Sequence, residues 1–216
     1  MIPDLDFTVL GAEPLPFCVV PTLAVKLRVT SAADTPIQAV ALDCQVRIEA
    51  QKRRYEPGEK DALFDLFGPP GDWSRTLRSL LWTHVNASVP GFAGSVDFDL
   101  RVPCTYDFNV IAARYFHALE GGEVPLLLLF SGSVFFAGDS GELQIGRISW
   151  NKEASYRLPV QTWKDLMEVY YPNTAWLCLE RDLFNRLAAF KSERGLPTWE
   201  RALEALLADA EEPAAR

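Results

Sequence analysis

Four cysteines and two histidines are the residues of this chain whose types suit nucleophilic or metal chemistry. The cysteines occur singly, without a C-x-x-C pair, and Cys44 lies on the apolar face of an alternating run, as a small buried hydrophobe would. Cys104 and His117 are the nearest pairing of a thiol with a base, and His84 is the second histidine. A catalytic thiolate needs such a base, and a soft metal needs several such ligands together. A small metal-handling protein or a thiol-dependent enzyme using Cys104 and His117 is therefore the alternative function.

Motifs for other kinds of catalysis are missing from the sequence. It contains no G-x-S-x-G nucleophile turn, no G-x-x-x-x-G-K-[ST] phosphate loop and no G-x-G-x-x-G dinucleotide loop. Ser131-Gly132-Ser133 lies within a strand-like run, where a glycine indicates a kink or bulge. We predict a protein that is not an enzyme and that uses no cofactor.

The charge of the chain argues against two kinds of partner. A formal net charge of −8 repels phosphate backbones, and the one basic stretch, Lys52-Arg53-Arg54, is short enough to be a solvated strand end. The longest apolar run, Val124 to Phe130, is well short of the ~20 residues of a membrane helix. Residues 1–6 lack the basic and apolar parts of a secretory signal. We expect a cytoplasmic protein that binds no nucleic acid and does not insert into membranes.

Apolar runs, most of them alternating with polar residues, predict a largely β-stranded N-terminal region. The first two strands, separated by a turn at Ser31 to Pro36, are expected to pair as an antiparallel hairpin. The predicted strands are Thr22–Thr30, Ile37–Ala50, Leu81–Val89, Ser95–Val102, Val124–Phe136, Leu143–Ile148 and Ala154–Leu158.

Helical spacing predicts short helices among the strands and longer ones after them. Residues 107–119 fit both a strand and a helix, and a helix is favoured because Asp107 suits an N-cap and Gly121-Gly122 a stop. The other predicted helices cover Glu59–Phe67, Trp73–Leu80, the segment from Pro159 to Pro172, the segment to Gly195 and the segment after Pro197.

Strands early and helices late define an α+β protein: a mainly antiparallel β-sheet, with a sandwich as one arrangement, followed by C-terminal helices. No linker or repeat divides the chain, so we predict a single domain over residues 1–216. It comprises a β-rich region at about 5–158, a helical region at about 159–207 and a frayed tail at 208–216.

Aromatic side chains are concentrated at the start of the helical region. Rings of this kind are enriched at binding hot spots, although they also form the seam where helices dock on a sheet. The candidate protein-binding residues are Trp150, Tyr156, Trp163, Tyr170, Tyr171 and Trp176.

Short motifs along the chain resemble an uncharacterised bacterial family known only as a domain of unknown function. Together these motifs are specific to that family, and Ser133 stands where its pattern has threonine. The motifs are Pro21-Thr22-Leu23, Gln45-Val46-Arg47-Ile48, Arg54-Tyr55, Leu66-Phe67-Gly68, Leu81-Trp82-Thr83-His84, Val89-Pro90-Gly91-Phe92, Pro103-Cys104-Thr105-Tyr106-Asp107-Phe108, Tyr115-Phe116-His117-Ala118-Leu119, Leu129-Phe130-Ser131-Gly132, Leu158-Pro159-Val160 and Arg194-Gly195-Leu196-Pro197-Thr198-Trp199.

The resemblance implies an accessory role, because members of this family tend to be encoded beside nickel-iron hydrogenase genes. The function it implies is assembly or maturation of a nickel-iron hydrogenase, and the partner it implies is a hydrogenase subunit. We therefore expect a non-enzymatic accessory protein that binds another protein. The oligomeric state is left open.

Overall fold

The structure is a computed structural model that describes residues 2–32, 35–107, 110–138 and 140–211. It forms two compact units, Met1–Thr174 and Ala175–Arg216. The strands, all in the first unit, are β1 (Leu5–Pro14), β2 (Thr22–Ser31), β3 (Ile37–Ile48), β4 (Leu80–Phe92), β5 (Ser95–Pro103), β6 (Glu123–Ala137), β7 (Leu143–Arg147) and β8 (Glu153–Pro159).

The described residues contain five α-helices in the first unit and two in the second. Those of the first unit are α1 (Pro57–Ala62), α2 (Phe64–Phe67), α3 (Trp73–Thr76), α4 (Val110–His117) and α5 (Val160–Tyr170). Those of the second are α6 (Arg181–Glu193) and α7 (Trp199–Glu211). None of these helices is both long and apolar enough to cross a membrane.

The strands of the first unit form two antiparallel sheets. One has the order β1-β2-β5. The other has the order β4-β3-β6, and both β7 and β8 pair with the remaining edge of β6. The inward faces of the strands form the apolar core, which includes Leu23, Leu27, Val40, Leu42 and Leu128. The predicted α+β class with a sandwich-like antiparallel sheet and C-terminal helices is confirmed.

The predicted hairpin between the first two predicted strands is wrong. These strands are β2 and β3, and they lie in different sheets: β2 pairs with β1 and β5, whereas β3 pairs with β4 and β6. Alternation specifies which face of a strand is buried but not which strand lies beside it. Part of the predicted turn, residues 33 and 34, lies outside the described residues.

The ambiguous segment at 107–119 forms a helix, α4, as predicted. Residues 108 and 109, which follow the predicted N-cap Asp107, lie outside the described residues. The helix ends at His117, before Gly121-Gly122. At the other end of the chain α7 continues to Glu211, past the predicted start of the tail, and residues 212–216 lie outside the described residues.

Helix α5 belongs to the first unit and contacts β1, β2, β8 and α4. Its buried residues are Val160, Trp163, Leu166 and Met167, which follow helical spacing, and this stripe lies against the core. Its C-terminal residue, Tyr170, thereby reaches the loop that joins β1 to β2.

Candidate protein-binding surface

The predicted binding aromatics have different environments. Trp163 is only 2% exposed and stacks on Phe116, with ring centroids 5.0 Å apart and planes 11° apart. Trp163 is therefore a core residue, whereas Trp150 is 93% exposed. Partly buried positions are held by Tyr156, Tyr170 and Tyr171, and Trp176 is an exposed residue of the second unit. A binding role stays a prediction for the exposed members.

Trp150 lies on a bulge between β7 and β8. Arg147 pairs with Ser133 and Glu153 with Leu129, so residues 148–152 stand opposite residues 130–132 of β6. The extra residues push Trp150 out of the sheet and into solvent. The bulge thus presents a single ring at a strand edge.

The loop that joins β1 to β2, residues 15–21, is here called the Phe17 loop. The backbone N–H of Leu15 donates to the carbonyl of Thr22 at 2.8 Å, which closes the loop at its base. On the far side, the carbonyl of Pro21 accepts from the N–H of Cys104 at 2.8 Å. Both ends of the loop are therefore attached to the sheet.

Tyr170 fixes the middle of the Phe17 loop. Its hydroxyl accepts a hydrogen bond from the N–H of Cys18 at 3.1 Å and donates one to the carbonyl of Cys18 at 3.0 Å. Both backbone polar groups of one loop residue are thus satisfied by one side chain from α5. This is the structural role of Tyr170, and it differs from the direct binding role predicted for it.

The Phe17 loop presents apolar side chains to solvent. Phe17 is fully exposed and Val19 is 99% exposed. Phe17 has a φ of 60°, a left-handed conformation that is uncommon for a bulky residue. Aromatic and aliphatic side chains held outward on a fixed loop suit insertion into an apolar pocket of a partner protein.

Alternation could not reveal this surface, because the Phe17 loop contains no polar residue against which exposure could be judged. The signal that was available is the run Pro14-Leu15-Pro16-Phe17-Cys18-Val19-Val20-Pro21. Its three prolines argue against a central strand, and the first of them, Pro14, ends the edge strand β1.

A buried ion pair lies at the base of a cleft elsewhere in the first unit. Nη2 of Arg53 lies 2.5 Å from Oε1 of Glu59, and the two side chains are only 8% and 2% exposed. Arg53 also donates to the carbonyl oxygens of Gly121 and Glu123, at 2.8 and 3.1 Å. The prediction of a solvated basic strand end is therefore wrong for Arg53, because its partner is brought there by the fold.

The carboxylate of Glu59 also accepts hydrogen bonds from the backbone N–H groups of Glu56 at 3.1 Å and Glu120 at 2.9 Å. The cleft above it has a volume of about 770 Å³. Its lining has no excess of charged residues of either sign: Lys52, Arg53, Arg54 and Arg157 stand beside Glu56, Glu59, Glu120 and Glu123. We interpret the ion pair as structural.

The residues of the alternative function have separate roles. Cys104 is buried, its thiol donates to the carbonyl of Val102 at 3.4 Å, and burial raises its pKa to about 12. His117 bonds to the hydroxyl of Tyr106 at 2.9 Å, and burial, aided by Lys164, lowers its pKa. A protonated thiol is a poor nucleophile.

The second histidine, His84, bonds to the side chain of Gln45 at 3.2 Å. Throughout the described ranges, no three His, Cys, Asp or Glu side chains are grouped so that they could hold a metal ion. The described residues thus form no metal-binding centre around His84 or His117.

The chain belongs to a family of unknown function, DUF6084, whose model matches residues 2–215. This confirms the resemblance to an uncharacterised family, while the association with hydrogenase genes stays a prediction. No curated protein matches the chain.

Solved structures similar to this chain include a protein described as ApaA from Bordetella pertussis. It is 12% identical, with a TM-score of 0.25, over 72% of this chain and 93% of that protein. A β-glucosidase from Kluyveromyces marxianus is 11% identical, with a TM-score of 0.25, over 72% of this chain and 15% of the enzyme. TM-scores this low carry no argument about fold or function.

Proposed function

We propose that this chain is a non-enzymatic accessory protein of the cytoplasm that binds another protein, and that the Phe17 loop is its docking element. The observation that carries the proposal is the almost complete exposure of Phe17 and Val19 on a loop fixed by Tyr170. The partner surface is an apolar pocket wide enough for a phenyl ring.

Two costs in the free protein support a binding role for the loop. An exposed phenylalanine and valine leave apolar area in contact with water, which is unfavourable by roughly 1.5–3 kcal/mol per side chain relative to burial. A positive φ at Phe17 adds backbone strain. Burial in a partner would recover the first cost, and the fixed loop would lose little conformational entropy on binding.

The resemblance of the sequence to a hydrogenase-associated family suggests the identity of the partner. We propose that it is a subunit of a nickel-iron hydrogenase, bound during assembly or maturation. Such a role needs a client-binding surface rather than a catalytic group, and the Phe17 loop is a surface of this kind.

The test compares partners captured from the native host by tagged wild type and by a Phe17→Ser/Val19→Ser variant, followed by titration with the purified hydrogenase subunit. Because two anchors are lost, we expect the variant to bind at least roughly tenfold more weakly. Ile145→Ser is the matched control, since Ile145 is 64% exposed on β7, away from this loop.

Each outcome separates one part of the proposal. A hydrogenase subunit captured by wild type and the control, but lost with the loop variant, supports both parts. Capture that is equal in all three proteins overturns the loop as the docking element. A different partner lost with the loop variant overturns the hydrogenase assignment and keeps the docking element.

No observation favours the alternative of a metal-handling protein or thiol-dependent enzyme. Its key thiol, Cys104, has a pKa raised to about 12 by burial and hydrogen-bonds to a backbone carbonyl. A catalytic pair requires a hydrogen bond between the thiol and the histidine. The ring of His117 instead contacts the rings of Tyr106 and Trp163.

A further inference from the structure

The second unit exposes an apolar face that runs across both of its helices. Trp199, Leu203 and Leu207 follow one another at four-residue spacing along α7 and are 40%, 41% and 63% exposed. Phe184 of α6, 46% exposed, contacts the Trp199 ring at a centroid distance of 5.2 Å. Leu183 beside it is also exposed. These five residues are here called the C-terminal apolar face.

This unit has almost no core of its own. No residue of α6 is buried, and in α7 the only buried position is Ala202, within the described part of each helix. Units of about 40 residues usually need an additional source of stability, of which oligomerisation is one. Two amphipathic helices with exposed apolar stripes therefore call for further helices to pack against.

Charged residues beside the C-terminal apolar face indicate which further helices pack against it. Arg181 and Arg186 of α6 form no ion pair with any described residue, and neither do Glu200 and Glu211 of α7. Within α6 basic residues outnumber acidic ones by three to two, whereas in α7 acidic residues outnumber basic ones by four to one. A second α7 would supply the acidic partners that α6 lacks, and a second α6 the basic partners that α7 lacks.

We propose that the C-terminal apolar face docks on the same face of a second copy of this chain. In this two-fold dimer α6 of one protomer packs against α7 of its partner, and the four helices form a bundle with an apolar interior. A two-fold axis makes such a contact self-complementary, because each α6–α7 pairing occurs twice.

The first experiment measures the mass of the purified full chain by light scattering after size exclusion, at several concentrations. We expect about 48 kDa, twice the chain mass of 24.2 kDa. A Leu203→Glu/Leu207→Glu variant should elute as a monomer, and Ile145→Glu on β7 should leave the dimer intact. A wild-type monomer up to roughly 100 μM overturns the proposal.

Surface charge changes provide a test that does not risk misfolding. An Arg181→Glu/Arg186→Glu variant should dissociate at least tenfold more readily than wild type at low salt. Adding Glu200→Arg and Glu211→Arg to the same chain should restore the dimer, because the four exchanged positions are again of opposite charge between α6 and α7. A dimer that none of these substitutions weakens is held by another surface and overturns the proposal.

Discussion

The hydroxyl of Tyr170 forms hydrogen bonds to both backbone polar groups of Cys18, although 152 residues separate them in the sequence. The hydroxyl oxygen of Tyr170 thus connects helix α5 to the Phe17 loop. The loop is closed at its base by backbone bonds, so this oxygen is what fixes its middle. The position of Phe17 therefore depends on the packing of α5 against the sheets.

Tyr170→Phe should loosen the Phe17 loop without unfolding the protein. It removes two hydrogen bonds of a partly buried group, for which we expect a loss of about 1–2 kcal/mol in the free energy of unfolding. Hydrogen exchange of the Cys18 amide should accelerate, and partner binding should weaken. Urea unfolding and amide exchange by NMR measure the first two effects.

Tyr171→Phe is the control for this change, since Tyr171 packs on Tyr106 and does not contact the loop through a described hydrogen bond. It should leave exchange at Cys18 unchanged. Equal exchange in wild type and Tyr170→Phe would show that the loop is fixed by other contacts.

Removing either member of the Arg53–Glu59 pair should destabilise the first unit strongly. Both side chains are buried, so Arg53→Met leaves an uncompensated carboxylate and Glu59→Gln an uncompensated guanidinium, at a cost of about 3–5 kcal/mol each. The double variant should lose less than the sum of the two. Urea denaturation of the four proteins gives this coupling energy.

The exposed pair Arg28–Asp97 is the control for burial. Its hydrogen bonds are short, at 2.7 Å, but its side chains are 48% and 50% exposed. Solvent screens such a pair even though it is bidentate, and Asp97→Asn should cost much less than Glu59→Gln. A loss from Asp97→Asn as large as that from Glu59→Gln would contradict the distinction between the two pairs.

Local patterns predicted the strands well because alternation is a property of each strand by itself. Val40, Leu42, Cys44 and Val46 alternate in the sequence, and all four are buried on β3. β1 was not predicted as a strand, although Leu5, Phe7 and Val9 alternate with polar residues up to the register shift between Val9 and Gly11.

The environments of individual side chains were beyond such patterns, because they depend on contacts between distant segments. Nothing near Arg53 in the sequence shows that Gly121 and Glu123 will surround its guanidinium. Likewise the aromatic content of residues 150–176 is visible in the sequence. The division between buried Trp163 and exposed Trp150 appears only once α5 packs on the sheets.

Gly132→Ala should destabilise the second sheet, because Gly132 has a φ of 131° and an added Cβ would overlap the carbonyl oxygen of Ala41 on β3. Strain and overlap together should cost roughly 2–4 kcal/mol in thermal or urea unfolding. Gly71→Ala is the control, since no atom lies within 4 Å of its added Cβ. Similar stabilities for the two variants would disprove the steric explanation.

Alkaline pH should destabilise the protein through its buried thiols. Burial raises the pKa of Cys44 and Cys104 from 9.0 to about 12. Above pH 9 the unfolded chain therefore loses thiol protons that the folded chain keeps, so the free energy of unfolding must fall as the pH rises towards 12. The expected slope is up to about 1.4 kcal/mol per pH unit for each thiol.

Urea unfolding under reducing conditions at pH 8 to 11 measures this slope. Cys44→Ala/Cys104→Ala should flatten the slope, and Cys178→Ala, at an exposed position, should not. An unchanged slope in the double variant would assign the alkaline loss to other groups, such as Tyr115, whose pKa burial also raises to about 12.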